Sequence, residues 1–507
     1  MKPYLVLIGA YARDNFGDLL YPKIMEKCFP SYSIIRASGL TGKDLTSIGG
    51  DCVVNVREFL SDPNNYPSAV IHCGGETITL SKKSGVSFNL PPTLIKKAGK
   101  LYLGSEEEIS NKLTDSRKIL AYLYNHEDFS TNKSSFPIAF LSIGGSSLYR
   151  FSKNNSFLSI IKSKLKYSKY LSVRDGKTKE YLKNYLGVES KVHPDISHLL
   201  AKTNLPEIRE AENNVNIKMI LEGLPYILFQ ANQKIISRSG TEFWATRLAE
   251  IGQKMNKALV LQPAGLASGH DSLDQLRDLA EKISKKKPKV FVKLQEDRNL
   301  WGQVAIIANS FCSISSSLHV RIVSLAFGRP GCSLENEKTS NYLRSWEISP
   351  DCCDVPANKL LSVLEKAVNT KPETFKKTQE LMVVQAEDSL KEMSNRLKLN
   401  FGNKSFQGET EIEPEKLFQA LSQETERLRE TLAKEIISKR GLEIEKVAIL
   451  AELNELKSSK SWKITKPLRS IYRLIKLGHV RDNTRNLYYL YLPLLFILSL
   501  PDTVFSD

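Results

Sequence analysis

NSFCSISSSLHVRIVSLAFGRPGCSLE, Asn309 to Glu335, carries the local pattern from which the fold is read. Phe311 to Ile314 is strand-like, and Ser315 to Ser317 are small turn residues. His319 then opens an apolar run of helical period. Gly328-Arg329-Pro330 stops that helix, because glycine accepts the left-handed conformation of a helix end and proline cannot continue the ladder. Gly331 to Leu334 begins another strand. The pattern is strand–turn–helix–strand, with a histidine near the helix start. In open α/β sheets ligands sit where strands end and helices begin, since free backbone N–H groups point there. His319 therefore has two readings: proton donor to an anionic substrate, or a buried, hydrogen-bonded core histidine.

The flanking sequence repeats the alternation. Ahead of this stretch, strands are expected at Tyr226–Gln230, Ala258–Gln262 and Val290–Leu294. Helices are expected at Gly240–Met255, Ser272–Ser284 and Asn299–Asn309, with His270 and Asp271 in a loop. In the first half, Tyr4–Ile8 leads into GAYARDNFGD, where Asp18 can cap the next helix and Asn15 with Asp18 can face a ligand. Ala69–Glu76 runs from strand into Gly74-Gly75, which allow close backbone approach to a ligand. His72, just before them, reads as structural. Pro137–Ser147 repeats strand, glycine pair and hydroxyl residues. Tyr170–Asp175 is a strand with Arg174 near its end, read either as an anion clamp or as a salt-bridge partner of Asp175 or a helix end. The first turn is no GxGxxG fingerprint, so a dinucleotide is not indicated. Asn204–Asn216 is polar and reads as an interdomain linker.

The formal net charge of +16 suits phosphorylated substrates or an anionic membrane surface as well as plain solubility. No RNA-binding signature or zinc-finger spacing accompanies it, so nucleic acid is not expected as a partner. The seven cysteines form no CxxC pair, which argues against a disulfide framework and for a reducing cytosol. MKPYLVLIGAY reads as a strand entering a turn rather than a signal peptide, since its apolar run is short and no small-residue cleavage site follows. No carboxylate or histidine cluster has ligand spacing, so no metal is expected.

The expected class is α/β: two Rossmann-like domains facing a cleft, in a GT-B-like arrangement, with a helical C-terminal extension. The expected boundaries are 1–205 and 217–352 for the two domains and 353–400 for helices packing back on the body. Residues 411–457 have a leucine stripe compatible with coiled-coil self-association. Residues 458–507 hold the basic amphipathic run SSKSWKITKPLRSIYRLIK and an apolar stretch broken by Pro493. That tail suits either an anionic membrane surface or packing on a partner.

From Tyr4 to about Leu397 the chain resembles the polysaccharide pyruvyltransferase family. The resemblance rests on Asn15-Phe16-Gly17-Asp18, Gly74-Gly75, Ser172-Val173-Arg174-Asp175, Asp195 before Leu199-Leu200, Ser317-Leu318-His319, Ala326-Phe327-Gly328-Arg329-Pro330 and Glu337-Lys338. It implies two Rossmann-like domains around a deep cleft. It also implies transfer of pyruvate from phosphoenolpyruvate, as donor substrate, onto a sugar of a cell-surface polysaccharide or its lipid-linked precursor, forming a ketal. By position, Arg174 would contact the donor and His319 would donate the proton. The expected substrate-binding set is Arg174, Asn15, Asp18, Gly74, Gly75, Ser317, Arg321 and Lys338, with no cofactor. The expected placement is cytoplasmic, peripheral at the inner face of the membrane. Departures accompany the match. Ser317 stands where many members carry arginine, which makes Arg321 and Lys338 the candidate replacements. Val320 stands at a usual glycine, as do Glu76 and Ser146. The alternatives are a nucleotide-sugar glycosyltransferase, whose tails the SKSWKITKPLR run resembles, and a non-catalytic glycan-binding or assembly protein.

Overall fold

Short, uninterrupted apolar runs such as YLVLI, AVIHC, IAFLSI and YILFQ suit strands covered on both faces, the condition of a parallel sheet. The computed structural model describes residues 2–39, 43–62, 64–80, 120–129, 136–267, 269–348 and 352–402. They belong to one compact unit of the chain, Met1–Gln419. The expected coiled-coil segment at 411–457 and the basic and apolar tail at 458–507 lie outside the described residues.

Thirteen described strands form two sheets. The first contains β1 (Tyr4–Ile8), β2 (Ser33–Ser38), β3 (Lys43–Asp44), β4 (Cys52–Asn55), β5 (Ala69–Cys73), β6 (Ile138–Ile143), β7 (Tyr170–Val173) and β8 (Lys191–Val192). Their order is β3-β4-β2-β1-β5-β6-β7-β8, parallel throughout except for the β3–β4 pair. The second contains β9 (Tyr226–Gln230), β10 (Ala258–Leu261), β11 (Val292–Leu294), β12 (Cys312–Ser315) and β13 (Gly331–Ser333), all parallel, in the order β11-β10-β9-β12-β13. Each sheet begins at a central strand, builds outward on one side, then crosses to the other. The crossing leaves a crevice beyond the strand ends: between β1 and β5 in the first sheet, and between β9 and β12 in the second. This is the doubly wound, two-domain α/β class expected from the sequence.

The two sheets share a hydrophobic core. One cluster joins Leu5 and Leu7 of β1, Phe16, Leu20 and Ile24 of the helix Phe16–Cys28, and Leu228 of β9. It continues through Val304 and Ile307 of the helix Leu300–Asn309 and Val320 and Val323 of the helix Leu318–Ala326. The long helix Pro372–Leu397 joins it through Leu390 and Met393. This helix lies along β6 and β7, with Ser389 Oγ 2.8 Å from Tyr170 Oη and ion pairs from Lys191 to Glu392 and from Lys202 to Glu387.

Two local expectations change. The polar stretch Asn204–Asn216 contains the helix Leu205–Glu212 and the start of the helix Val215–Leu221. Ile208, Ile217 and Ile220 are buried, so three well-spaced apolar side chains outweigh the polar composition. Asp18 does not cap its helix. Asn15 occupies the cap position, and Asp18, already inside the first turn, accepts hydrogen bonds from Arg13 Nε (2.9 Å) and Asn15 Nδ2 (2.7 Å). Strand β2 had no reading in the sequence because SIIRAS mixes polar residues into an inner strand.

Candidate active site

The Leu318–Ala326 helix starts where β12 ends, so its first turn projects from the crevice of the second sheet. Gln230, the last residue of β9, organises that turn. Its Oε1 accepts from Ser315 Oγ (2.7 Å), Ser316 N–H (3.1 Å) and Ser317 N–H (2.9 Å). The turn is thereby pinned to the neighbouring strand, and His319 is carried across to the first sheet.

There His319 meets Tyr21 and Asp195. Its Nε2 is 2.8 Å from Tyr21 Oη and 3.8 Å from Asp195 Oδ2. Tyr21 donates to Asp195 Oδ2 at 2.6 Å and accepts from Gly75 N–H at 3.2 Å. Arg174 closes the group, with Nη1 3.5 Å from Asp195 Oδ2 and Nη2 3.1 Å from Glu76 Oε2. Ser146 Oγ donates to the other oxygen of Glu76 at 3.0 Å. Tyr21 and Asp195 are wholly buried, and Arg174 and His319 nearly so. The ion pairs of Arg174 among the described residues are with Glu76 and Asp195, while Asp175 caps the helix Gly176–Tyr181 through Thr178 N–H (2.7 Å). Arg174 Nη1 has the Asp195 ion pair but no hydrogen bond among the described residues.

Glycines make this approach possible. A Cβ on Gly17 would lie 1.9 Å from His319 Nδ1, and one on Gly74 would lie 2.0 Å from the Tyr21 ring. Gly74 and Gly75 also take positive φ (65° and 75°), which turns the chain sharply after β5 and aims the Gly75 N–H at Tyr21. Gly17→Ala is expected to push the His319 ring aside. Overpacking of this kind costs about 1–3 kcal/mol, so the thermal melt should fall and activity with it; an unchanged melt would contradict the close packing.

The electrostatics follow from burial and pairing. Burial alone would raise the Asp195 carboxyl, but the adjacent His319, then Arg174 and Tyr21, outweigh it and hold the group below the ordinary carboxylate range. Asp18 is likewise held low: burial opposes ionisation, and Arg13 and His319 overcome it. Burial beside Asp195 pushes the Tyr21 phenol well up. Half-buried Lys338, at the start of the helix Glu337–Ser345, is lowered by burial and by the field of Arg174. It makes no hydrogen bond or ion pair among the described residues. His270 is pushed down to about 3 by burial, with Arg13 and Lys338 adding to the effect, so a second and uncharged imidazole belongs to the same neighbourhood.

Of the residues picked out from the sequence, the structure gathers Asn15, Asp18, Gly74, Gly75, Arg174, His319 and Lys338. Ser317 stands beside them as the cap residue of the histidine helix. Arg321 does not join them. Its guanidinium donates to Ser313 Oγ (2.8 Å) and Gly331 O (2.9 Å), on the sheet side of the helix. Residues two apart on a helix point in nearly opposite directions, so Arg321 and His319 cannot share a site. Tyr21, Glu76 and Gln230 had no sequence role; the i, i+3 spacing of Asp18 and Tyr21 was the available signal for the first. His72 is structural, with its two ring nitrogens 2.8 and 3.0 Å from the carbonyls of Tyr122 and Tyr124 and burial lowering it to about 4. Among the described residues no cluster of potential ligands could hold a metal ion, and no helix is long and apolar enough to cross a membrane.

Comparison with known proteins adds the following. A family model described as polysaccharide pyruvyl transferase matches residues 15–338. No curated protein matches. Among solved structures, UDP-GlcNAc 2-epimerase from Methanocaldococcus jannaschii, in complex with UDP-GlcNAc and UDP, is similar at 16% identity and a TM-score of 0.41, over 76% of this chain and 99% of its own. The UDP-GlcNAc 2-epimerase from Neisseria meningitidis, bound to UDP-GlcNAc, is similar at 13% identity and a TM-score of 0.45, over 78% and 100%. The α,α-trehalose 6-phosphate synthase from Burkholderia multivorans is similar at 11% identity and a TM-score of 0.39, over 78% and 98%.

Proposed function

We infer the reaction from one premise: the chain belongs to the polysaccharide pyruvyl transferase family. The donor is phosphoenolpyruvate, and the acceptor is a sugar of a cell-surface polysaccharide or of its lipid-linked precursor. The observation that carries this reading is His319, brought from one sheet into a cluster of cationic and anionic groups on the other, beside Lys338, which has no ion-pair partner among the described residues.

Phosphoenolpyruvate bears a phosphate and a carboxylate, so its seat needs cations in a site shielded from water. Lys338 and Arg174 supply them. Protonated His319 gives its proton to the methylene carbon, and the central carbon becomes an oxocarbenium-like electrophile. A sugar hydroxyl on the Asn15–Asp18 side attacks that carbon and returns its proton to His319. The bond from the central carbon to the phosphate oxygen then breaks, and phosphate leaves with the electron pair. A second hydroxyl attacks the same carbon and closes the ketal, its proton leaving with the phosphate. The basic run at 458–476 is the part proposed to hold the enzyme at an anionic membrane surface where lipid-linked acceptors lie.

Incubation of the full chain with phosphoenolpyruvate and pyruvylatable glycans tests the reaction. Phosphate release that requires both acceptor and His319, with a mass gain on the glycan equal to pyruvate less water, is the expected result. Nucleotide release from a nucleotide-sugar, without use of phosphoenolpyruvate, would replace this reading by glycosyl transfer.

A further inference from the structure

We propose that Tyr21 is a positioning residue that fixes the tautomer of His319, so that Nδ1 is the nitrogen through which His319 exchanges its proton. The proposal deepens the preceding reading and rests on it for the role of His319, but not for the tautomer itself.

Tyr21 Oη has one hydrogen and three polar neighbours: Asp195 Oδ2 at 2.6 Å, His319 Nε2 at 2.8 Å and Gly75 N–H at 3.2 Å. Asp195 is held ionised and can only accept, so the phenolic hydrogen goes to it. Gly75 N–H can only donate, so it occupies one lone pair of the phenol oxygen. The remaining lone pair faces His319 Nε2, which must therefore carry a hydrogen. Uncharged His319 then has its free lone pair on Nδ1, and that is the nitrogen that takes up and gives back a proton. A hydrogen bond at one ring nitrogen sets the state of the other in this way.

The Gly17 backbone packs against the imidazole near Nδ1, where an added Cβ would lie 1.9 Å from that nitrogen. Tyr21 itself is wholly buried and cannot reach a substrate in this state, so it acts only through the histidine. Its ring is fixed in turn by Gly74 beneath it and by an edge-on contact with the imidazole, with centroids 5.6 Å apart.

The test is a long-range 1H–15N spectrum of the full chain labelled at its seven histidines, with His319 assigned from the signals lost in His319→Gln. In its uncharged form the wild-type His319 should show a pyrrole-like Nε2 and a pyridine-like Nδ1. Tyr21→Phe should give a mixture of tautomers and lower kcat by about 10²-fold, the scale of a misplaced catalytic group, with KM little changed. Asp195→Asn guards against misfolding of the first variant. Its amide can donate to the phenol oxygen, which turns the Tyr21 O–H onto Nε2 and reverses the tautomer. A wild type protonated at Nδ1, or an unchanged tautomer in both variants, would overturn the proposal. The spectrum needs no turnover, so a tautomer change without pyruvyl transfer would leave Tyr21 in its role and remove only the proposed reaction.

Discussion

Replacing His319 by glutamine is expected to lower kcat by about 10²–10⁴-fold, the range a positioned general acid contributes, while the thermal melt shifts little. Glutamine is chosen because its amide can still donate to Tyr21 Oη, where His319 Nε2 now lies at 2.8 Å. The buried phenol keeps a partner, and Asp195 keeps its hydrogen bond from Tyr21 and its ion pair with Arg174. What disappears is a side chain that can carry and release a proton. The measurement is phosphate release from phosphoenolpyruvate at saturating acceptor, beside a melt of both proteins. If activity persists in a folded variant, His319 is the buried core histidine that its burial also allows, and the proton must come from elsewhere in the cleft.

Arg174→Met is expected to lower stability as well as donor binding. Removing one member of a buried ion pair costs about 3–5 kcal/mol, because the partner is left charged and unpaired. Here two carboxylates lose their cation at once, and Asp195 has no access to water. Glu76 is cushioned by Ser146 Oγ and by partial exposure, so most of the cost falls on Asp195. The pH dependence has a definite sign. Asp195 has a lower pKa folded than unfolded, so the stability it contributes is present above its unfolded value of about 3.9 and is lost as pH falls below it. Without Arg174 that depression shrinks, and acid unfolding should begin at a higher pH than in the wild type. Asp18 is depressed in the same direction through Arg13, which the substitution leaves in place, so part of the acid response remains. Melting curves between pH 3 and pH 7 check both effects. A variant with the wild-type melt at neutral pH and the wild-type acid midpoint would show that Arg174 does not stabilise Asp195.

Local pattern determined much of this protein. Apolar runs of strand length, each followed by small or glycine residues, specify strands entering turns. Their alternation with helical periods allows few architectures besides doubly wound parallel sheets. The first strand of each domain, Tyr4–Ile8 and Tyr226–Gln230, has in the structure the limits read from the sequence. His319, Arg174 and the Gly74-Gly75 pair were visible for the same reason, since each ends a strand or starts a helix.

Only the tertiary structure decided who meets whom. Arg174 is adjacent to Asp175 in sequence, yet it pairs with Glu76 and Asp195, because the strand order β5-β6-β7-β8 brings the chain after β5 and the chain after β8 within reach of the end of β7, while Asp175 is drawn into its own helix cap. Arg321 is a cation two residues from the histidine, and the helical turn sends it to the opposite side. Tyr21 sits in a helix whose sequence says only that it is buried. It stands between His319 and Asp195 because two sheets, 298 residues apart in the chain at that contact, share one core. Periodicity along a chain records which side of an element faces inward. It holds no information about which distant element waits there, and that choice made a buried tyrosine the bridge between the histidine and its carboxylate.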